Sequence, residues 1–578
     1  MTAHASSEPT QATEAFLRTR DQVLGFGGDV DRAVREFRWP QFDGAFNWAS
    51  DWFDAMADGN ERPALVIVED DGRVARYSFD DMFRRSHQVA AWLAQQGVGR
   101  GDAVLLMLGN QVELWESMLA VMRLGAVLMP TATAIGPSDL VDRVERASVR
   151  HVICNPEDAA KFADVPGDYT RISVGDVDGW LQFADAYDGP DDVRLPHPGT
   201  APHDRLLLYF TSGTTSRPKL VEHSQVSYPV GHFSTLYLLG IRPGDVHLNI
   251  SSPGWAKHAW SCFFAPWMAE ATILIYNYGR FDAAALIEKI REHRVTTFCA
   301  PPTVWRMLIN ADLSGGGGDL REVIGAGEPL NPEVIEQVRS HWGLDIRDGY
   351  GQTETTAQIG NPPGMPLKVG SMGRPLPGVP VVLVDPVSGE RIEGAGEGEI
   401  CLDLSQHPVN LMPGYLDDAE RNAQAMAGGF YHTGDVATRD ADGYITFIGR
   451  TDDVFKSSDH KISPFELESA LIEHPGVVEA AVVAAPDAVR LNVPKAYVTL
   501  ASGWQPDAAT AEDILRHARR HLGAHQRVRR IEFAELPKTI SGKIRRVELR
   551  QREEELAETP RDQRGEWRDS DFPELTGR

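Results

Sequence analysis

The sequence predicts an α/β protein: a large N-terminal domain of parallel-sheet α/β subdomains plus a β-rich subdomain, followed by a smaller α+β C-terminal domain. Three features carry this expectation. From Ser78 to Ala300 short apolar runs alternate with helical periodicity, the pattern of parallel strands joined by crossover helices. From Pro375 to Leu404 the pattern changes to short β segments separated by Gly and Pro, and past Gly449-Arg450 a fresh set of strand and helix signals begins. At 578 residues the chain is too long for one ordinary core; length alone suggests roughly three to four units.

Taken in order, residues from about 1 to 60 read as a ragged tail, bounded at 1–40, and then helical segments, with Trp39, Trp48 and Trp52 covering the main body. Ser78 and Asp81 form a capping box, and Phe79, Met82, Phe83, Val89, Ala90 and Leu93 recur at helical spacing before Gly97, so a helix is expected over about 79–96. Val104–Leu108 reads as a strand, Val112–Leu124 as a helix stopped by Gly125, and Ala126–Met129 as a strand. Residues 165–204 carry Pro, Gly and Asp without periodicity and are expected to form a long connecting loop. Alternation resumes with Thr272–Tyr276 (strand), Ala283–His293 (helix) and Thr296–Ala300 (strand). Val379–Val384 and Glu397–Leu402 are the β segments of the subdomain; Val477–Ala484, Ala496–Leu500 and the helix Ala511–Leu522 belong to the C-terminal domain. The expected boundaries are 41–451, 452–555 and a second tail at 556–578.

Composition narrows the function. With 42% hydrophobic and 24% charged residues the chain has ample core material. The formal charge of −26 argues against nonspecific binding to nucleic acid or anionic membranes, so any phosphate site must be a local feature. The four cysteines, Cys154, Cys262, Cys299 and Cys401, are too far apart in sequence to suggest a disulfide framework or zinc knuckle. The N-terminus lacks a secretion pattern and no apolar run is long enough to span a membrane, so a cytoplasmic enzyme is expected. Oligomeric state stays open.

The chemistry centres on Tyr209-Phe210-Thr211-Ser212-Gly213-Thr214-Thr215-Ser216-Arg217-Pro218-Lys219. A buried strand runs into a loop that offers backbone N–H groups, hydroxyls and one ammonium to polyphosphate oxygens, and Gly213 lets the backbone come close. An ordinary surface turn remains the alternative for this stretch alone. Its companions are Gly325-Ala326-Gly327-Glu328-Pro329, Asp348-Gly349-Tyr350-Gly351-Gln352-Thr353-Glu354, Tyr431-His432-Thr433-Gly434-Asp435, Gly449-Arg450-Thr451-Asp452-Asp453 and Pro537-Lys538-Thr539-Ile540-Ser541-Gly542-Lys543.

In this order the motifs resemble the adenylate-forming (AMP-binding) superfamily over roughly residues 40–555, nearest to the medium-chain acyl-CoA synthetases through Gly254–Trp260, Cys299–Thr303 and Gly349–Thr355. The resemblance implies a mobile C-terminal domain and an ATP-dependent acid:CoA ligase that uses ATP, Mg²⁺ and CoA on a small-molecule carboxylic acid. It assigns Thr211, Ser212, Gly213, Thr214, Thr215 and Lys219 to the phosphates, and Gly327, Glu328, Pro329, Asp348, Gly349, Tyr350 and Gln352 to the nucleotide. Thr353 falls to the α-phosphate, Glu354 to Mg²⁺, Asp435 to the ribose diol and Arg450 to ribose or phosphate. Asp452 matches the interdomain hinge, and Lys543 the ammonium that meets the carboxylate and α-phosphate as charge develops.

Trp255, Lys257 and His258 fall in the segment that matches the acyl pocket. With Trp260, Phe263 and Trp267 they suggest a medium-chain or aromatic acid, and a base pair of Lys257 and His258 would repel an α-ammonium group. Ser458, Asp459 and Lys461 match the CoA approach, with one departure: Asp459 stands where the superfamily usually has glycine. The rival readings are an adenylating enzyme with an amine or carrier-protein thiol as acceptor, and a noncatalytic binder on the same fold.

Overall fold

The structure, a computed structural model, describes residues 9–211, 218–328, 330–457, 460–487, 490–539, 543–556 and 559–576. It divides into two compact units. Among the described residues the first comprises 9–211, 218–381 and 402–431; the second comprises 382–401 and those from 432 to 576. The β-rich segment therefore groups with the C-terminal part of the chain in this division, which falls after Tyr431 as well as around 382–401.

Two large sheets organise the first unit. In the eight-stranded sheet Ala103–Met107 lies between Val127–Pro130 and Val149–Cys154, all parallel, and the order continues through Arg205–Thr211 to Lys219–Ser224 and Gly414–Tyr415. These central strands read as unbroken apolar runs because helices cover both faces; Ala103–Met107 is buried at every position. The nine-stranded sheet carries Val246–Asn249, Thr272–Tyr276, Thr297–Ala300, Glu322–Ala326 and Ile346–Gly351 in parallel, with antiparallel strands at its ends. Phe79–Gln95 is helical as expected, its first turn closed by the reciprocal Ser78–Asp81 capping box.

Two expectations need correction here. Residues 165–204 are no plain loop: Thr170–Ser173 and Leu181–Gln182 extend the eight-stranded sheet in parallel, anchored by Ile172 and Phe183 in the core. Strands of such length leave too few apolar residues to show a period. The N-terminal stretch 1–40 is no tail either. Gln11–Phe26 is a helix capped by Thr10, and it buries Phe16 and Phe26 in the main core, where Phe16 stacks at 5.1 Å from Trp52 and 4.8 Å from Phe233.

The second unit holds Gly396–Asp403, Phe430–Arg439 and Ile445–Arg450 in a five-stranded sheet, and a four-stranded sheet of Val477–Asp487, Leu491–Leu500, Arg530–Phe533 and Trp567–Arg568. Helices Pro464–Ile472 and Ala508–His521 pack their apolar faces on the latter. Residues 559–576, expected as a tail, belong to this core. Trp567–Arg568 pairs antiparallel with Arg530–Phe533, and Phe572 and Leu575 are buried. The stretch also supplies Glu566, fully buried 3.0 Å from the equally buried Lys495 ammonium, which Glu532 (2.8 Å) and Glu553 (2.7 Å) share. Removing one partner from such a cluster leaves uncompensated buried charge, so the segment is held by more than its apolar contacts. Among the described residues no helix is long and apolar enough to cross a membrane, and Cys154, Cys262, Cys299 and Cys401 are buried with free thiols.

Candidate active site

In the first unit the phosphate-loop strand Arg205–Thr211 pairs antiparallel with Lys219–Ser224, and the register sets Thr211 opposite Lys219. Ser212, Gly213, Thr214 and Thr215 lie outside the described residues, as does Pro329. The hairpin thus brings both ends of the loop together and fixes where its ammonium stands. Lys219 Nζ donates to the Tyr415 hydroxyl (3.2 Å), lies 5.1 Å from the centre of that ring and 3.9 Å from Glu354 Oε1. Tyr415 in turn donates to Glu354 Oε1 at 2.8 Å. Burial and then the Glu354 charge push the Tyr415 phenol far up, so it stays a proton donor. Glu354 is itself 8% exposed, a buried carboxylate that accepts from the Tyr415 hydroxyl and faces the Lys219 ammonium.

The backbone around Glu354 is equally restrained. His223 Nε2 donates to the Thr353 carbonyl (2.8 Å), while its Nδ1 lies 3.0 Å from Ser227 Oγ. Complete burial lowers His223 to about 4, which keeps the ring neutral in this tautomer. Met412 N donates to the Glu354 carbonyl at 2.9 Å, and Tyr431 donates to Gln352 Oε1 at 2.8 Å. Sequence reasoning missed Tyr415 and His223. The signal for Tyr415 was the turn Pro413-Gly414-Tyr415, whose last two residues pair with Glu222 and Val221; His223 offered none beyond its place after the loop.

Gly327 and Glu328 follow the strand Glu322–Ala326, and Glu328 Oε2 accepts from Thr303 Oγ1 at 3.2 Å, with Arg306 at 3.8 Å. Asp348 lies within Ile346–Gly351; burial raises its carboxyl to about 8, and it accepts from Gly349 N at 2.8 Å. The glycines flanking Tyr350 are required by packing: a Cβ at Gly349 would sit 2.5 Å from Leu238, and one at Gly351 2.4 Å from both the Thr356 carbonyl and the Trp260 ring. Lys257 Nζ donates to the Ala326 carbonyl at 3.0 Å, tying the helix Ala256–Ala259 to the strand that leads into Gly327. Trp255 keeps partial exposure. His258 does not present a charge. It is buried, lies 2.9 Å from Asn110 Oδ1, and is lowered by burial to about 3, so only Lys257 can repel an ammonium here. Phe263 and Trp267 are wholly buried in the main core, Trp267 donating to the Ala64 carbonyl.

In the second unit Asp435 and Arg450 are register partners on neighbouring antiparallel strands. Arg450 Nη1 stands 3.4 Å from Asp435 Oδ1 and its Nε 3.6 Å from Asp452 Oδ1. Asp435 is 5% exposed, and its own N–H donates to Thr433 Oγ1 (3.1 Å). Glu399 accepts from Gly434 N at 2.8 Å and pairs with His432 at 2.9 Å, fixing the turn before Asp435. Lys461 is ion-paired with Glu397 and half exposed; Ser458 and Asp459 lie outside the described residues. Lys543 is exposed. Its backbone is bonded to Thr539, through Thr539 N to Lys543 O (2.8 Å) and Lys543 N to Thr539 Oγ1 (3.1 Å).

Residues 53–416 match the AMP-binding enzyme family and residues 466–543 the AMP-binding enzyme C-terminal domain. The chain is 41% identical to 4-hydroxybutyrate–CoA ligase 1 of Metallosphaera sedula over 88% of its own length and 91% of that protein's. It is 35% identical to the mitochondrial acyl-coenzyme A synthetase ACSM3 of Mus musculus, over 88% of this chain and 90% of that one. Among solved structures it resembles an anthranilate CoA ligase in complex with anthranoyl-AMP, with a TM-score of 0.80, 27% identity, and coverage of 89% and 99%.

Proposed function

The chain belongs to the AMP-binding enzyme family, and from that premise we propose an ATP-dependent carboxylic acid:CoA ligase acting through an acyl-adenylate. A carboxylate oxygen attacks the α-phosphorus of ATP, the bond to the β-phosphate oxygen breaks, and pyrophosphate leaves. The CoA sulfur then attacks the acyl carbonyl, AMP departs with the bonding pair, and the thiol proton goes to solvent. One observation carries the reading: Lys219, Tyr415 and Glu354 form a connected cation–hydroxyl–carboxylate set at the base of the phosphate hairpin. A buried carboxylate oriented by a hydroxyl and faced by an ammonium suits polyphosphate accompanied by a hard cation.

Glu354 fits Mg²⁺ as an oxygen ligand to an ion held mainly by phosphate and water, and the ion would supply charge neutralisation on the transferred phosphates. Thr353 is assigned to the α-phosphate and Lys219 to the outer phosphates. Asp435 is assigned to the ribose diol, with Arg450 beside it, and Lys543 to the charge that builds between carboxylate and α-phosphate. Asp348, being buried, serves the nucleotide segment through the backbone of Gly349. Asp452 keeps the hinge assignment. The unpaired, buried thiols suit a reducing cytoplasm.

For the acid we propose a medium-chain or aromatic carboxylate. A short hydroxy acid is the second reading, favoured by the burial of Phe263 and Trp267, which leaves Trp255 and Trp260 as the aromatics of that segment with any exposure. The test is pyrophosphate release across butyrate, 4-hydroxybutyrate, hexanoate, octanoate, benzoate and α-amino acids, with and without CoA. Repeated AMP release is expected to require CoA and to be fastest with a medium-chain or aromatic acid. Fastest turnover with 4-hydroxybutyrate selects the second reading, and exchange driven best by an α-amino acid overturns both.

A further inference from the structure

Away from the nucleotide residues, the last turn of the helix Ala508–His521 sets His517 and His521 four residues apart, so both rings lie on one face, 4.2 Å between centroids. Opposite them stands Glu473, the residue that ends the helix Pro464–Ile472. Each of the three offers one ligand atom, and these atoms lie within 4.8 Å of one another. The hydrogen bonds settle which nitrogens keep a lone pair. His517 Nε2 faces the Ala470 carbonyl at 3.0 Å, and His521 Nδ1 faces the His517 carbonyl at 2.9 Å. A carbonyl only accepts, so each of these nitrogens carries the proton, and the lone pair sits on His517 Nδ1 and His521 Nε2. An imidazole that gives its N–H to a backbone carbonyl and keeps the other nitrogen bare is the form in which histidine ligates metals.

The neighbourhood supports this form. The adjacent His474 is spoken for, with Nε2 3.2 Å from Asp513 and Nδ1 accepting from Gly476 N. Its ring meets His517 edge-on at 5.3 Å and backs that ring. Two imidazoles and a carboxylate, with the remaining positions open to water, is a donor set for zinc and similar divalent transition ions rather than for Mg²⁺ or Ca²⁺. Tetrahedral bonds of that kind need ligand atoms about 3.3 Å apart, so an ion would draw the exposed Glu473 side chain and its two histidine partners inward from their present spacing.

We infer that Glu473, His517 and His521 form a binding site for a divalent transition-metal ion of the zinc class, which ties the end of Pro464–Ile472 to the end of Ala508–His521. The bond network is an exchange of solvent water for three side-chain ligands on the ion, with no redox change. The test is titration of the full chain, in chelator-treated buffer without Mg²⁺ or nucleotide, with Zn²⁺ by calorimetry and with Co²⁺ by visible absorption. Wild type should bind one ion at this site and give the intense visible bands of low-coordinate Co²⁺. His521→Gln and Glu473→Gln change exposed side chains and should fold normally, yet weaken binding by about tenfold or more, the scale on which metal sites respond to loss of even a supporting partner. Cys401→Ser, which disables the other Cys/His/Glu grouping, Glu399–Cys401–His432, should leave this binding intact. Zn²⁺ affinity unchanged in both His521→Gln and Glu473→Gln, or lost in Cys401→Ser, would overturn the assignment.

Discussion

Lys219 and Lys543 are both assigned to phosphate charge, yet the fold treats them in opposite ways. Lys219 is bonded to Tyr415 and faces Glu354, a set built into paired strands and backed by the buried His223. Lys543 stands exposed, and its contacts with Thr539 hold only its backbone. The first lysine is part of the structure before any ligand arrives. The second shows, among the described residues, an exposed side chain and bonds made by its backbone. Charge around Lys219 is therefore preorganised, and its loss registers in stability and in chemistry together; loss of the Lys543 ammonium registers in chemistry alone.

The sharpest test of that contrast is Lys543→Ala. Adenylation should fall by about 10² or more, the scale of removing one preorganised charge-stabilising donor. Thermal unfolding should be unchanged and thioester formation from supplied acyl-AMP much less affected. Equal loss in both half-reactions would mean that the lysine serves binding or folding in general. Tyr415→Phe should behave in the contrary manner. It removes a hydrogen bond to a buried carboxylate, worth about 1.5–3 kcal/mol, so the melting temperature should drop as adenylation slows by about tenfold or more. A melting temperature equal to wild type would break the comparison.

A smaller effect is expected at Asp459. Asp459→Gly should leave adenylation intact and keep or raise the rate of the CoA step, measured in single turnover.

The smallest effect concerns His223. Its folded value of about 4 lies below the ordinary value of 6.5. Between those limits the unfolded chain binds a proton that the folded chain refuses, so stability contributed by the neutral ring is present above about pH 6.5 and is lost as pH falls toward 4. The melting curve of His223→Gln should depend less on pH across that window than wild type; identical pH dependence would show that the ring is not held neutral.

Much of this was legible in the sequence where local chemistry decides structure. The Ser78–Asp81 capping box sets the start of its helix, and the apolar run Thr272–Tyr276 forms the strand expected of it. The motif residues fall at strand ends and turns, as with Thr211 and Lys219 across one hairpin and Asp435 opposite Arg450. What escaped depends on distant partners. Tyr415 gains its role from Glu354, 61 positions away. Residues 559–576 looked like a tail because their apolar residues are few, and only the placement of Glu566 against Lys495 gives them a core to join; residues 11–26 do carry apolar residues, but what they pack on, as with Phe16 against Trp52, lies far along the chain. The charge expected of His258 failed for a related reason: sequence shows the residue type but not the burial that neutralises it.

The most direct measurement of the central claim follows the fate of the adenylate in one turnover. Wild-type enzyme is mixed with ATP, Mg²⁺ and its labelled best acid, and the acyl group is tracked before and after CoA is added. A carboxylate:CoA ligase will accumulate acyl-AMP with stoichiometric pyrophosphate, then convert it to acyl-CoA with release of AMP once CoA arrives. Acyl-AMP that persists in saturating CoA, yet is consumed by Asp459→Gly, would contradict the assignment and make the natural acceptor something other than CoA.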